Sequence, residues 1–256
     1  MSKHLTYFHL LEALKSPGCP LCALMHENSR RYLDSLFYEC VNDPGVRAKL
    51  VRSRGFCNWH AWLSTEIHCA NTGIAVIYKD LLEREIAEIG EIRDSPSAGR
   101  SFFKRWKSRK PCMICEAMAS FALSYLDEVV DHISEEDFQD AFRRSDGLCL
   151  GHFRMLALRH SRHRNLSRIV DLQLEKYRSL SREMGEFLRK YDYRYTDEPM
   201  GAEADSWRRT IEQFVGKRET FGNELAPEVT SRTGPFLLPL LRRLYRLCRR
   251  CLGLAG

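Results

Sequence analysis

Eight residues of this chain stand in four short motifs: Cys19-x-x-Cys22, Cys57-x-x-His60, Cys112-x-x-Cys115 and Cys149-x-x-His152. Two cysteines at this spacing can aim both sulfurs at one ion from a tight turn or a helix start. There the exposed amides and the helix dipole favour thiolate over thiol. A Cys-x-x-His pair supplies two further corners of a tetrahedron, and three thiolates with one imidazole form a closed zinc set. The expected cofactors are therefore two zinc ions, with an iron–sulfur cluster as the alternative. Taken in chain order, Cys19, Cys22, Cys57 and His60 make one site, and Cys112, Cys115, Cys149 and His152 the other. Each such site carries excess negative charge, and Arg54, Arg143 and Arg144 lie near enough in sequence to offset it. Buried free cysteines behave as small hydrophobes, which accounts for single cysteines but not for eight ligand types at matched spacing.

The motifs recur at a fixed interval. The two cysteine pairs are 93 residues apart and the two Cys-x-x-His pairs 92 apart. Tyr32, Leu33 and Asp34 match Tyr125, Leu126 and Asp127 at the first offset. Gly55, His68 and Ile77 match Gly147, His160 and Ile169 at the second, as does Leu82-Glu83-Arg84 with Leu174-Glu175-Lys176. Agreement over so long a stretch reads as an internal duplication.

Helices must position these residues. Leu24, Met25, Tyr32, Leu33, Leu36 and Phe37 recur at three- and four-residue spacing, the period of one helix face. Asn42-Asp43-Pro44 offers a cap and a proline for a helix running to about Ser53. In the second half, Ser134 to Asp137 resembles a capping box. A third helix opens at each Cys-x-x-His, and a fourth covers Ile74–Ile92 or Asn165–Leu188. No alternating run bounded by hairpin signals occurs. The fold class is therefore all-α: two tandem repeats of a metal-clamped helical unit, an accessory C-terminal helix and a basic tail. The boundaries are 1–93 for the first Cys3His repeat, 94–100 for a linker and 101–195 for the second repeat. Residues 196–234 form a linker with an amphipathic helix carrying Trp207, Ile211, Phe214 and Val215, and 235–256 the tail.

This arrangement resembles an uncharacterised bacterial family of duplicated Cys-x-x-Cys…Cys-x-x-His proteins, through Gly18–Cys22, Gly55–His60, Pro111–Cys115, Leu148–His152 and Asp205–Arg209. The resemblance covers about Thr6–Gly216 and carries no established activity.

No catalytic constellation is apparent. His68 and His160 fall at equivalent places past the ligand histidines and read as packed or capping residues. Cys69 adjoins His68 but its counterpart is Ser161, which makes a poor case for a Cys–His nucleophile. Cys40 reads as inert, and Asp34 and Asp127 as residues that cap or solvate their own helices. Phosphate-binding glycine motifs are absent. Four protein ligands also fill a tetrahedron, whereas catalytic zinc keeps a place for water. The leading reading is a zinc-stabilised, non-catalytic binding or regulatory protein. A redox- or metal-responsive protein comes second and a metal-dependent enzyme third.

The N-terminal segment interrupts its apolar residues with His4, His9 and Glu12, unlike a secretory leader, and no run is long enough to span a membrane. The expected compartment is the cytoplasm, where thiols stay reduced. A formal net charge of +6 is mild but uneven. Arg159-His-Ser-Arg-His-Arg164, with Arg154 and Arg168, and Lys104–Lys110 around Trp106 are basic clusters suited to nucleic-acid phosphates. The partner is otherwise an unspecified macromolecule. In the tail, Leu237, Leu240, Leu241, Leu244, Leu247, Cys248 and Cys251 form an apolar stripe opposite Arg242, Arg243, Arg246, Arg249 and Arg250. Such a helix suits an anionic membrane surface. The intact chain should therefore sediment with anionic vesicles, less so at high salt, and deletion of 235–256 should abolish this. A deletion that leaves sedimentation unchanged would exclude the tail as the anchor.

Overall fold

All four motifs start helices. In the computed structural model, Cys19, Cys57, Cys112 and Cys149 are the N-cap residues of α2 (Pro20–Ser35), α4 (Asn58–Ser64), α7 (Met113–His132) and α9 (Leu150–Arg159). The fourth residue of each motif then lies in the first helical turn, where backbone N–H groups have no intrahelical acceptor. The structure describes residues 5–218 and 220, except 96, 97 and 196. The tail stripe and the cysteines at 248 and 251 lie outside the described residues. The protein is all-α, with no strand among the described residues.

The other helices follow from local sequence. α1 (Leu5–Ala13) buries Tyr7, Leu10 and Ala13, a three-residue spacing that packs one face. α2 continues into a π-helical turn, Leu36–Cys40. α3 (Pro44–Ser53) opens as the sequence suggests: Pro44 occupies the first turn and the Asp43 carboxylate accepts from the Val46 N–H at 2.8 Å. α8 (Glu136–Arg144) departs from expectation. Its N-cap is Glu135 and no side chain caps it, because the Glu135 carboxylate is held by His132 Nδ1 at 2.7 Å. α5 (Asn71–Asp94) and α10 (Leu166–Lys190) are the long helices after each Cys-x-x-His, and α11 (Ser206–Val215) follows a 3-10 turn at Tyr193–Tyr195.

Among the described residues of the segment read as a linker at 94–100, Asp94 closes one helix and 98–100 open the next. α5 runs to Asp94 and α6 (Ala98–Lys107) begins four residues later. Phe102 and Trp106, one turn apart, present a face on which the Arg54 guanidinium rests, 5.5 and 5.3 Å from the two ring centroids. That contact, beyond reach of a compositional reading, ties α6 to the end of α3.

The core forms where α2 and α7 pack together, with α1 laid on both and α9 against α7. Leu21, Leu33, Ile114, Leu126, Val129, Phe138 and Phe142 are all fully buried there. All described residues belong to a single packed unit. No described helix is long and apolar enough to cross a membrane.

Candidate metal centres

The structure gathers the eight motif residues into two clusters, but not in chain order. Cys19 and Cys22 meet Cys149 and His152, whereas Cys57 and His60 meet Cys112 and Cys115. Within each cluster all ligand atoms lie within 4.8 Å of one another. The expectation that each half closes its own site is therefore corrected: each cysteine pair joins the Cys-x-x-His of the other half.

Helix length gives the reason. α2 has 16 residues and its π-helical extension five, an outward run of about 30 Å at 1.5 Å per residue. The return helix α3 has only ten residues, or about 15 Å. The chain therefore reaches Cys57 about half-way back. Consistent with that, His60 packs on the middle of α2, its Nε2 3.2 Å from Ser29 Oγ. Ser29 is ten residues beyond Cys19, about 15 Å along the axis. The second half repeats the mismatch, with 20 residues in α7 and nine in α8.

Both histidines face their cysteines through Nδ1. In the first cluster His152 Nδ1 lies 3.5, 3.6 and 3.3 Å from the sulfurs of Cys19, Cys22 and Cys149. In the second, His60 Nδ1 lies 3.2, 3.7 and 3.4 Å from those of Cys57, Cys112 and Cys115. Sulfur–sulfur separations of 3.7 Å for Cys22–Cys149 and 3.6 Å for Cys57–Cys115 are far beyond a disulfide bond of about 2.05 Å. Every ligand cysteine is free.

Crowding sets the acid–base state of the thiols. Hydrogen bonds from Cys19 and Cys22, with backbone N–H groups of His152 and Gly151, hold the Cys149 thiol down at about 4. Cys112 is likewise drawn well below the thiol range by Cys115, Cys57 and His60. Donation to those thiolates, together with burial, pushes Cys22 and Cys115 up and carries Cys57 to about 11. The bare cluster thus tolerates an early thiolate and resists further ones, because each added buried anion repels the last. A cation among the four donors removes that repulsion, so the donor set fits a metal ion.

Surrounding groups fix the ligand backbones. Gln173 Nε2 donates to the Leu148 carbonyl and Gln173 Oε1 accepts from the Leu148 N–H, both at 3.0 Å, immediately before Cys149. Leaving these buried groups unpaired would cost about 1–3 kcal/mol each. Gly147 has φ +74, and a Cβ there would lie 2.8 Å from Gln173 Oε1, so only glycine admits the clamp. The Gly18 N–H donates to Asp146 Oδ2 at 2.7 Å, tying the approach to Cys19 to the approach to Cys149. Tyr177 donates its hydroxyl hydrogen to the Leu148 carbonyl at 3.3 Å, and burial beside Cys149 and Cys19 pushes its pKa up to about 12.

The remaining sequence candidates divide. Arg54 does not offset the clusters: it pairs with Glu85, and with Glu88 at 2.6 Å. Arg143 pairs with Asp140 at 2.8 Å. Asp127 does more than solvate α7. It accepts from Arg159 Nε and Nη2 at 2.7 and 2.9 Å and lies 2.8 Å from His160 Nε2, so both residues of that pair anchor the end of α9. His68 and Cys69 meet at 3.7 Å on the exposed surface. Sequence reasoning missed His132, buried between Glu128 at 3.2 Å and Glu135 at 2.7 Å with Tyr7 stacked edge-on. Its spacing of four from one acid and three from the other was the available signal.

Fold and donor geometry define an all-α protein in which two Cys3His clusters bridge distant parts of one chain. The chain belongs to a family of unknown function (DUF6062), which it matches over residues 1–220. It is similar to the "Uncharacterized 23.9 kDa protein in xynA 3'region" of Caldicellulosiruptor sp. (strain Rt8B.4). The two are 24% identical over 221 residues, which span 81% of this chain and 99% of that protein. No solved structure matches.

The crossed ligation makes a mutational prediction. Cys57→Ser should abolish binding at the cluster containing Cys112 and Cys115, and Cys149→Ser at the one containing Cys19 and Cys22. Residues 1–93 expressed alone should hold no tightly bound ion, since each half has only half of each ligand set. A stoichiometric, chelator-resistant metal in that fragment would show that the halves can close their own sites.

Proposed function

We propose that this protein is a zinc-stabilised, non-catalytic binding or regulatory protein of the cytoplasm, its two ions clamping a helical scaffold. One observation carries the reading: the donor separations suit a single tetrahedral ion in each cluster. Bonds of about 2.3 Å to sulfur and 2.0–2.1 Å to nitrogen place neighbouring sulfurs about 3.8 Å apart, and sulfur and nitrogen about 3.6 Å apart. The sulfur pairs stand at 3.7 and 3.6 Å, and the sulfur–nitrogen pairs span 3.2 to 3.7 Å. A multi-iron cluster spreads its four protein ligands over two or more irons, so it needs a wider cage than a single ion. Thiolate with imidazole favours zinc among single ions. Four protein donors leave no open coordination place, which supports a structural over a catalytic ion.

Protein purified from cytosol should contain two zinc ions per chain and be colourless. Because the ligand set is assembled only in the fold, stripping the metal should lower the melting temperature markedly. Visible absorption with stoichiometric iron would overturn the zinc reading in favour of clusters.

The partner surface that this reading favours is formed by Arg162 and Arg164 in the turn between α9 and α10, with Arg154 on α9 and Arg168 on α10, all four exposed. Arg159 pairs with Asp127, and the other four are the charges that this reading assigns to a polyanion. The proposed partner is nucleic acid, bound through its phosphates. Arg162→Glu with Arg164→Glu should weaken duplex DNA binding across sequences and lower the salt slope, by about 0.9 for each phosphate no longer neutralised. Unchanged affinity and slope would exclude this surface.

A further inference from the structure

The two centres are unequal, and we propose that the Cys57, His60, Cys112 and Cys115 centre is an oxidation site for hydroperoxides, while the other centre stays closed. This inference rests on the zinc reading above. Cys19, Cys22, Cys149 and His152 are 5%, 0%, 0% and 1% exposed. In the second centre Cys115 is partly exposed, and a cavity of about 140 Å³ reaches Cys57 and Cys112. One water occupies about 30 Å³ of liquid, so the cavity has room for a small peroxide beside Cys57 and Cys112. Arg109 and Lys110 line the same cavity, and positive charge in its wall favours the negative charge that develops on a departing peroxide oxygen.

The chemistry balances within the centre. The Cys57 thiolate attacks one peroxide oxygen: an S–O bond forms, the O–O bond breaks, and the other oxygen leaves as alkoxide or hydroxide, which takes a proton from solvent to become alcohol or water. Cys115 Sγ, 3.6 Å away, then attacks the sulfenic sulfur. An S–S bond forms and the S–O bond breaks, releasing hydroxide, which takes a second proton from solvent to become water. Two thiolates lose two electrons and the peroxide gains them. Initial attack by Cys115 leads to the same disulfide. Two of the four ligands are then lost, and His60 with Cys112 cannot hold the ion.

The test uses the full chain carrying two zinc ions, hydrogen peroxide, a chromogenic zinc chelator and peptide mapping. One of the two zinc equivalents should leave, with Cys57 linked to Cys115, while Cys19, Cys22 and Cys149 stay reduced. Cys149→Ser should keep a peroxide-releasable zinc, and Cys115→Ser should not. Loss of both ions at one rate, retention of both, or a disulfide in the buried centre would overturn the proposal in the wild-type chain, whatever the variants do. Protein that carries no zinc before peroxide is added fails the underlying reading instead, so the two failures are distinguishable.

Discussion

An α-helix advances about 1.5 Å per residue, and that fixed advance decides which cysteines can meet. The long outward helix and short return helix in each half leave the Cys-x-x-His motif stranded half-way along its own half's cysteine helix. α2 and α7 pack along one another, so the stranded motif of one half arrives at the start of the other half's cysteine helix. Two helix N-termini then face each other at every cluster: α2 with α9, and α4 with α7. Both present unpaired amides and positive dipole ends to the thiolates. The crossing is thus the arrangement in which helix ends, not only ligands, converge.

That convergence explains the distribution of charge nearby. A cluster of three thiolates looks in need of compensating arginines, yet Arg54 and Arg143 are committed to carboxylates. Helix ends already supply partial positive charge, and an ion among the four donors would supply the rest. Arg54 instead joins α3 to α5 and lies over the rings of α6. It organises the connection between the halves, which the crossed ligation requires to be ordered. Gln173 and Asp146 play a comparable part by fixing the backbone before Cys149 and Cys19. None of these contacts touches a ligand atom, yet they hold the ligand backbones in place.

Much of this was legible from residue types and little of it from order along the chain. Spacing marked all eight cluster residues, periodicity gave the all-α class, and Asn42-Asp43-Pro44 located a helix start that the Asp43 carboxylate does cap. The partition into clusters was not legible, because spacing records chain length and says nothing about how far a helix carries a residue. The capping box at Ser134 misled for a related reason: Glu135 had a tertiary partner, His132, that outweighed a local one. The boundary at residue 100 falls inside α6, because the partner of Phe102 and Trp106, Arg54, lies in α3's C-cap, remote in sequence.

The clusters are also nested, the Cys57–Cys115 closure of 58 residues lying inside the Cys22–Cys149 closure of 127. Closure entropy grows only logarithmically, about 0.6 kcal/mol per doubling of loop length. The outer loop is roughly twice the inner, so topology separates the two centres by little more than that amount. Once the inner centre forms, the outer loop is effectively shortened and even this difference shrinks. Structural zinc in small peptides contributes about 10–16 kcal/mol of apparent binding free energy, against which such a term is negligible. Loop topology therefore cannot make one centre much weaker than the other. What distinguishes them is the local wall: closed protein around Cys22 and Cys149, and an open cationic cavity beside Cys57 and Cys112.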